Sequence, residues 1–351
     1  AGCGHSSSTS QGPATSSTPV PSVATSSTRA ASATSQAARD LPDPHTLRGL
    51  TEVPELPDPK PVEGSSAQKL PVTVTDVEGN KVTIKSTSRI LALDLYGTLS
   101  RTLIGLGLGD KIVGRTVSST EKQLHDRPVV TENGHVLNVE AVAGLKPSVI
   151  IADRSVGPKE ALDQLRKSGI PVVLVDPHRS VGSTPQLIRT IADAVGKPDA
   201  GEALVKRTQE QIDQAKKQIA AWKPAKPMRV AFLYVRGNAG VFFILGSENG
   251  ASELIQGVGA DDVASDKGIT TLVPANAESL VSINPDAIFV MRDGLASTGG
   301  MKGLLARAGV ANTTAGRKQR VISIPDGISL SFGPQTGEVL TAVAKALYGV
   351  K

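Results

Sequence analysis

Few cysteine, histidine and tyrosine side chains are present in this chain to bind a metal ion, and they are widely spaced along it. The 351 residues include one cysteine, five histidines and three tyrosines. Imidazole nitrogen and phenolate oxygen are both metal ligands, and a nearby cation favours the phenolate. Tyr234 has such a cation two residues further along a predicted strand, because Arg236 lies on the same side of that strand. This pair is a physical reason to consider Tyr234 a metal ligand.

His135 is the histidine whose surroundings best suit a ligand. It follows Asn133-Gly134, a turn dipeptide, so its ring is expected to project from a loop. A loop histidine often only bonds nearby backbone, and a tyrosine that ends an apolar strand often packs in the core. The residues alone leave these interpretations open for both His135 and Tyr234.

Motifs of the common enzyme classes are absent from the sequence. It has no Gly-x-Ser-x-Gly elbow, no His-Glu-x-x-His pair and no Gly-x4-Gly-Lys-[Ser/Thr] loop. The glycines of Gly105–Gly109 fall at a helix end and not in a strand-to-helix turn, so they are no dinucleotide fingerprint. The net charge of +5 comes without a Lys/Arg block, which argues against nucleic acid as a partner. We therefore expect a binding protein and not an enzyme.

The first seventy residues have a composition of their own. Of residues 1–40, 17 are Ser or Thr, and prolines are frequent from 41 to 71. Such a segment buries too little apolar surface to fold, so we expect residues 1–70 to form a disordered tether. Ala1-Gly2-Cys3 matches the end of a bacterial lipobox, in which the cysteine carries the lipid. Cys3 is thus the expected membrane anchor, and an incidental free thiol is the alternative.

Beyond the tether, short β-branched runs alternate with helical patterns in two similar halves. This alternation is typical of parallel α/β structure. Segments 138–147 and 276–285 share Asn, Glu, an aliphatic residue and Pro at identical offsets, and each leads directly into a predicted strand. We therefore predict an N-terminal lobe over 71–182 and a C-terminal lobe over 228–351.

The segment 183–227 is predicted to connect the lobes. Within it, Gly201–Trp222 has apolar residues near one stripe and ends before Pro224. The predicted fold is α/β, with two Rossmann-like lobes joined by a single long helix. A ligand cleft is expected between the lobes, at the carboxyl ends of the parallel strands.

These features together resemble the class III substrate-binding proteins of bacterial ABC importers, which handle haem, siderophores and cobalamin. The duplicated Asn-x-Glu-x4-[Leu/Ile]-x-Pro element, the run Leu165–Val173 and the connecting helix carry this likeness over about residues 72–351. More narrowly, the segments Glu132–Asn138 and Phe232–Gly237 resemble HmuT-type haem-binding lipoproteins of actinobacteria.

The resemblance implies that one histidine and one tyrosine, from opposite lobes, ligate the iron of a transported haem. Carried over onto this sequence, these ligands are His135 and Tyr234, with Arg236 hydrogen-bonded to Tyr234. His178 is the reserve nitrogen ligand. Tyr96 is a reserve oxygen donor or a wall of the pocket.

The remainder of the site is predicted from what a porphyrin requires. Aromatic rings stack on its faces, and cations bind its propionates. Phe242 and Phe332, with Phe243, are the candidates for stacking, and Arg154 and Arg292 are the candidates for the propionates. The alternative ligand is a ferric siderophore, but its pocket would be rich in aromatic residues, which make up only 3% of the chain.

The resemblance also implies partners and a location. In the family, the Glu of each Asn-x-Glu element pairs with permease arginines, so Glu140 and Glu278 are expected to dock an ABC permease dimer with its ATPase. Helix capping by the neighbouring Asn, with Glu in the first turn, is the other interpretation, and both can hold together. We expect a monomer, anchored through lipidated Cys3 to the outer face of the cytoplasmic membrane of a Gram-positive bacterium.

Overall fold

The computed structural model describes residues 40–64, 66–238 and 240–351. The predicted lipid anchor at Cys3 and the Ser/Thr-rich part of the predicted tether lie outside these residues. Leu41–Lys351 form one compact unit, which contains the two predicted α/β lobes. None of the helices in the described part is long and apolar enough to cross a membrane.

A small parallel sheet of buried apolar strands forms the centre of the N-terminal lobe. Amphipathic helices cover it because each buries one apolar stripe against the sheet. Up to the end of this lobe the elements are β1 (Leu50–Glu52), β2 (Val72–Thr75), β3 (Lys81–Ile84), β4 (Ile90–Leu93), α1 (Thr98–Gly105), β5 (Thr131–Glu132), β6 (Val136–Leu137), α2 (Val139–Gly144), β7 (Val149–Ala152), α3 (Lys159–Lys167) and β8 (Val172–Leu174). The sheet has the order β4-β7-β8, and β2–β3 and β5–β6 are antiparallel hairpins.

Two helices lead from this lobe to the next, α4 (Thr184–Ala194) and α5 (Pro198–Trp222). The 25-residue α5 is the predicted long helix, and it starts three residues earlier than expected because Pro198 suits a first helical position. Its stripe of Leu204, Ile212 and Ile219 is buried, as the pattern indicated.

The C-terminal lobe has a larger, mixed sheet. Its elements are β9 (Arg229–Arg236), β10 (Val241–Ile244), α6 (Ala251–Gly257), β11 (Asp261–Asp262), α7 (Val263–Asp266), β12 (Val273–Pro274), α8 (Ala277–Ile283), β13 (Ala287–Met291), α9 (Arg292–Ser297), α10 (Gly300–Ala306), α11 (Thr314–Lys318), β14 (Val321–Ile324), α12 (Asp326–Ser329) and α13 (Thr336–Tyr348). The strand order is β1-β14-β13-β9-β10-β12, with β11 also paired to β9. The pairs from β1 to β9 are parallel, and those of β10 with β9 and β12 are antiparallel.

The segment before β2 differs from the prediction. Strand β1 pairs in parallel with β14, so the chain first joins the C-terminal sheet. It then reaches the N-terminal lobe, where the Asp58 carboxylate accepts hydrogen bonds from the backbone of Lys122 and Gln123, both at 2.9 Å. Val53 and Val62 are buried along this path. The predicted tether therefore does not extend to residue 70, because an extended, proline-stiffened segment can pair with an edge strand and bury a few apolar side chains.

Candidate functional site

A short hairpin carries His135 at the carboxyl-end edge of the N-terminal sheet. Asn133 and Gly134 have φ values of 50° and 88°, the left-handed turn that Asn-Gly favours. The backbone carbonyl of His135 accepts a hydrogen bond at 2.8 Å from the N–H of Gly157, in the loop after β7. The side chain is exposed, and no described residue is recorded as bonding its imidazole. The backbone is thus held while the ring is available to a ligand.

Tyr234 lies where the C-terminal sheet changes from parallel to antiparallel. β9 pairs with the parallel strand β13 only as far as Phe232, and its last residues pair with β10. Tyr234 stands opposite Phe243 in this ribbon and is half-buried. This is the carboxyl-end edge, at which open α/β sheets bind ligands.

Arg236 lies beside Tyr234 and is fixed by a carboxylate. Its guanidinium carbon is 5.2 Å from the centre of the Tyr234 ring, and its Nη2 donates to Asp326 Oδ2 at 2.6 Å. Burial lowers the pKa of Arg236, but its interactions with Asp326 and Tyr234 outweigh burial, so the pKa is raised and the group stays cationic. Arg236 therefore places a fixed cation against the Tyr234 ring. Sequence reasoning missed Asp326, which is 90 residues away in the chain.

The N-terminal lobe contains a second tyrosine–arginine pair. The guanidinium carbon of Arg179 is 5.3 Å from the centre of the Tyr96 ring. Arg179 Nη2 donates to Asp94 Oδ2 at 2.9 Å and to Asp153 Oδ2 at 2.6 Å, and these three side chains, the buried triad, are at most 2% exposed. Asp94 and Asp153 directly follow β4 and β7, a position that could have revealed them in the sequence. The triad ties together the loops at the carboxyl ends of the strands.

Burial determines the protonation behaviour of this pair. It raises the pKa of Asp153 to about 6, repulsion from Asp94 acts in the same direction, and Arg179 opposes both. Burial also raises the pKa of Tyr96, and Asp153 adds to this effect against the opposing effect of Arg179. Tyr96 is therefore a neutral phenol at physiological pH.

The two tyrosines flank one contact between the lobes. A Cβ on Gly97 would lie 3.6 Å from the carbonyl oxygen of Gly327. Gly97 follows Tyr96, and Gly327 follows Asp326, the partner of the other pair. Tyr96 and Tyr234 also pack against the same apolar cluster of the C-terminal lobe. The structure therefore places both tyrosines at the same lobe junction.

Two of the predicted stacking residues are core residues. Phe242 is 8% exposed and Phe332 is 3% exposed, so neither ring is open to a ligand in the cleft. Phe242 alternates with its neighbours along β10 and thus lies on the other face of the ribbon from Tyr234. The same alternation puts Phe243 on the face of Tyr234, so Phe243 is the stacking candidate that the geometry supports.

The two arginines predicted for the propionates are already engaged. Arg154 donates to both carboxylate oxygens of Glu78, at 2.8 and 2.9 Å, and to Asp163 at 3.0 Å. Arg292 pairs with Glu55 at 2.5 Å. A ligand carboxylate would have to displace these partners, so we leave both arginines out of the site.

The reserve histidine, His178, lies next to the buried triad. Its backbone N–H donates to Asp176 Oδ1 at 2.9 Å, and its side chain is exposed. Across residues 40–64, 66–238 and 240–351, no partner is recorded for its ring. His178 remains the reserve candidate for a nitrogen ligand, in the same lobe as His135.

Glu140 and Glu278 occupy equivalent exposed positions. The helices α2 and α8 begin after Asn138 and Asn276, whose side chains accept backbone N–H groups of the first turn at 3.0 and 2.8 Å. Each Glu lies in that first turn, where a carboxylate interacts favourably with the helix dipole. The capping interpretation of the duplicated element is confirmed, and both carboxylates remain exposed at the surface.

A groove on another part of the surface is lined by different residue types from those of the candidate site. It measures about 1060 Å³ and runs between α5 and α13. Charged residues of both signs line it, such as Arg207 and Glu338, but its lining includes neither a histidine nor a tyrosine. None of the candidate iron ligands therefore lines this groove.

The chain is similar to known proteins in both sequence and structure. Residues 95–327 match the periplasmic binding protein family. The chain is 49% identical to the heme binding protein HmuT and matches its crystal structure with a TM-score of 0.86, over 88% of this chain and 100% of that chain. Crystal structures of HmuT in which a histidine, a tyrosine or an arginine is replaced by alanine match to a similar degree.

Two less similar relatives are also named as binding proteins. The chain is 27% identical over 280 residues to the uncharacterized ABC transporter substrate-binding lipoprotein YvrC of Bacillus subtilis (strain 168), covering 79% of this chain and 86% of that protein. It is 24% identical over 299 residues to the cobalamin-binding protein of Halobacterium salinarum, covering 83% of this chain and 78% of that protein. The chain belongs to the periplasmic binding protein family.

Proposed function

We propose that this protein binds haem outside the cell and delivers it to an ABC permease as the substrate-binding component of an importer. The observation that carries the proposal is the 49% identity with a heme binding protein whose whole crystallised chain is matched. Membership of the periplasmic binding protein family supports a role in binding and transport over one in catalysis.

His135 and Tyr234 are our proposed axial ligands to the haem iron. The histidine, tyrosine and arginine replaced in the HmuT variants have the same spacing along the chain as His135, Tyr234 and Arg236. The porphyrin supplies four nitrogens itself, so two axial donors complete the iron. An exposed imidazole and a phenol beside a fixed guanidinium suit that requirement.

Apolar side chains next to the tyrosines suit a flat apolar ligand. Val241 is 39% exposed and stands opposite Arg236, on the face of the ribbon that carries Tyr234. Leu95 is also 39% exposed and precedes Tyr96. Covering such side chains with a porphyrin removes apolar area from water and so favours binding.

Glu140 and Glu278 are our proposed contacts to a permease dimer. The two carboxylates come from the same position of a duplicated element, one in each lobe, which suits a partner with two equivalent halves. Cys3 would anchor the protein to the outer face of the cytoplasmic membrane, and we propose that it acts as a monomer there.

An absorption titration with haemin tests the ligand. We expect a saturable Soret change in the wild type, a strong loss of affinity in His135→Ala and Tyr234→Ala, and no loss in His125→Ala, which removes another exposed histidine of the same lobe. The proposal would be contradicted if the protein bound a ferric siderophore or cobalamin but did not bind haemin. Normal haemin spectra in both ligand variants would contradict the assignment of His135 and Tyr234.

A second experiment tests the docking residues. Haem uptake into proteoliposomes containing the permease and its ATPase should fail with the double variant Glu140→Arg and Glu278→Arg, while haemin affinity stays unchanged. Glu160→Arg is the matched control, because Glu160 also lies exposed in the first turn of a helix of the N-terminal lobe. Normal uptake by the double variant would exclude these carboxylates as docking contacts.

A further inference from the structure

A second tyrosine, Tyr96, lies on the N-terminal side of the lobe junction, across from Tyr234. Tyr96 lies in the loop between β4 and α1, and the next residue, Gly97, approaches Gly327 of the C-terminal lobe. Tyr96 packs against the apolar cluster that also contacts Tyr234. A ligand bound to Tyr234 at this junction would therefore have Tyr96 as a neighbour.

The Tyr96 ring is unusually well fixed for a loop residue. Arg179 lies against it, and its guanidinium donates to the two carboxylates of the buried triad at 2.9 and 2.6 Å. Asp94 also accepts the backbone N–H groups of Gly97 and Thr98, both at 3.1 Å, so the loop itself is tied to the triad. A side chain held in this way loses little further freedom when a ligand binds.

The phenol oxygen of Tyr96 has an unused donor. No hydrogen bond from it to any described residue is recorded, whereas Tyr348, elsewhere in the C-terminal lobe, donates its hydroxyl to the carbonyl of Val258 at 2.5 Å. A partly buried hydroxyl without a protein partner gains most from an acceptor on a ligand. Asp94 and Asp153 are themselves fully buried and directed at Arg179, so they do not face an incoming acidic group.

We infer that Tyr96 is a second ligand-binding residue, a neutral phenol that donates a hydrogen bond to a carboxylate at the edge of the bound porphyrin. This inference rests on the proposed function, because the porphyrin propionates are the acceptors it requires. Burial raises the pKa of Tyr96, which keeps the proton on the oxygen and so makes the group a donor and not an iron ligand. Each lobe would thus bind a different part of the ligand: Tyr234 binds the iron, and Tyr96 binds a propionate at the edge of the porphyrin.

Haemin and its dimethyl ester are the probes that test this inference. For haemin, Tyr96→Phe should raise Kd about ten-fold, the range for one hydrogen bond to a charged acceptor. For the dimethyl ester, which lacks the carboxylates, wild type and Tyr96→Phe should differ by less than about two-fold. The absorption spectrum of the bound iron should be the same in both proteins, because the axial ligands are unchanged.

Tyr348→Phe is the matched control. It also removes a phenol hydroxyl, but one that is fully buried and bonded to the Val258 carbonyl, so it should lower the melting temperature and leave the haemin Kd unchanged. Failure of the wild type to bind haemin would overturn the proposed function and this inference with it. Wild-type affinity of Tyr96→Phe for haemin, an equal loss for haemin and its ester, or an altered iron spectrum would overturn this inference alone.

Discussion

The two tyrosine–arginine pairs use the same residue types in different surroundings. Arg179, beside Tyr96, is 2% exposed and held by two fully buried carboxylates. Arg236, beside Tyr234, is 33% exposed and held by one carboxylate that is itself 19% exposed. Tyr96 and Tyr234 are both partly exposed, so the pairs differ in their arginines: Arg179 is buried inside its lobe, whereas Arg236 is partly exposed.

Burial decides what each of these arginines can do. A buried cation between two carboxylates costs much desolvation and cannot rearrange, so it fixes loops. A half-exposed cation with one partner remains available to stabilise charge on a neighbouring phenol or a ligand. We therefore assign the buried triad to positioning and the Tyr234–Arg236 pair to metal binding, as proposed above.

Removing Arg179 should have the largest effect on stability. Arg179→Leu leaves two buried carboxylates without their cation, so the free energy of unfolding should fall by about 3–5 kcal/mol. Chemical denaturation at pH 7 measures this loss. Arg189→Leu, which breaks the exposed ion pair with Glu202, should cause no measurable change. An equally small effect of Arg179→Leu would show that the triad is not a rigid unit.

The loss should depend on pH. The pKa of Asp153 is raised in the fold to about 6, so its contribution to stability is present at low pH and is lost as the pH rises through about 6. Without Arg179 the two carboxylates repel each other most when both are ionised. Arg179→Leu should therefore be less destabilising at pH 5 than at pH 8, and the reverse order would contradict the buried-charge account.

A methyl group added at the lobe junction should have an intermediate effect on the stability of the fold. A Cβ on Gly327 would overlap Thr120 Oγ1 of the other lobe, so Gly327→Ala should cost about 1–3 kcal/mol through overpacking. Gly144→Ala is the control, because nothing lies within 4 Å of the added Cβ. Thermal unfolding of the two variants makes the comparison, and equal melting temperatures would show that the lobes do not touch at Gly327.

The smallest predicted effects concern the duplicated element. Asn138→Ala and Asn276→Ala each remove one helix cap, so each should cost about 1 kcal/mol. The loss at Asn276 should be the greater, because that residue also takes part in a reciprocal capping box with Ser279. Denaturation of the two variants in parallel measures the difference, and an identical loss would mean that the box adds nothing.

Much of the fold could be predicted because it depends on local patterns. The alternation of apolar runs and amphipathic stretches indicated the lobes, and the stripe of α5 indicated the long helix. Asn at the same offset in both copies of the duplicated element indicated the caps of α2 and α8. Each of these features is set by residues close together in the chain.

The features that could not be predicted depend on distant residues. Strand β1 pairs with β14, about 270 residues later, so nothing local reveals that this proline-rich segment belongs to a sheet. Phe242 and Phe243 could not be told apart in the sequence, because successive strand residues lie on opposite faces and only the pairing with β9 shows which one shares the face of Tyr234. Arg179 joins carboxylates that precede it by 85 and 26 residues, and only the fold brings the three together.

The most direct test of the central claim is the absorption spectrum of the ferric-haem complex in Tyr234→Phe and Tyr96→Phe. A phenolate bound to ferric iron gives a ligand-to-metal charge-transfer band, so the spectrum reports which tyrosine binds the metal. Tyr234→Phe should abolish this band, and Tyr96→Phe should leave it unchanged. A band that persists in Tyr234→Phe, or that disappears in Tyr96→Phe, would contradict the assignment of the two tyrosines.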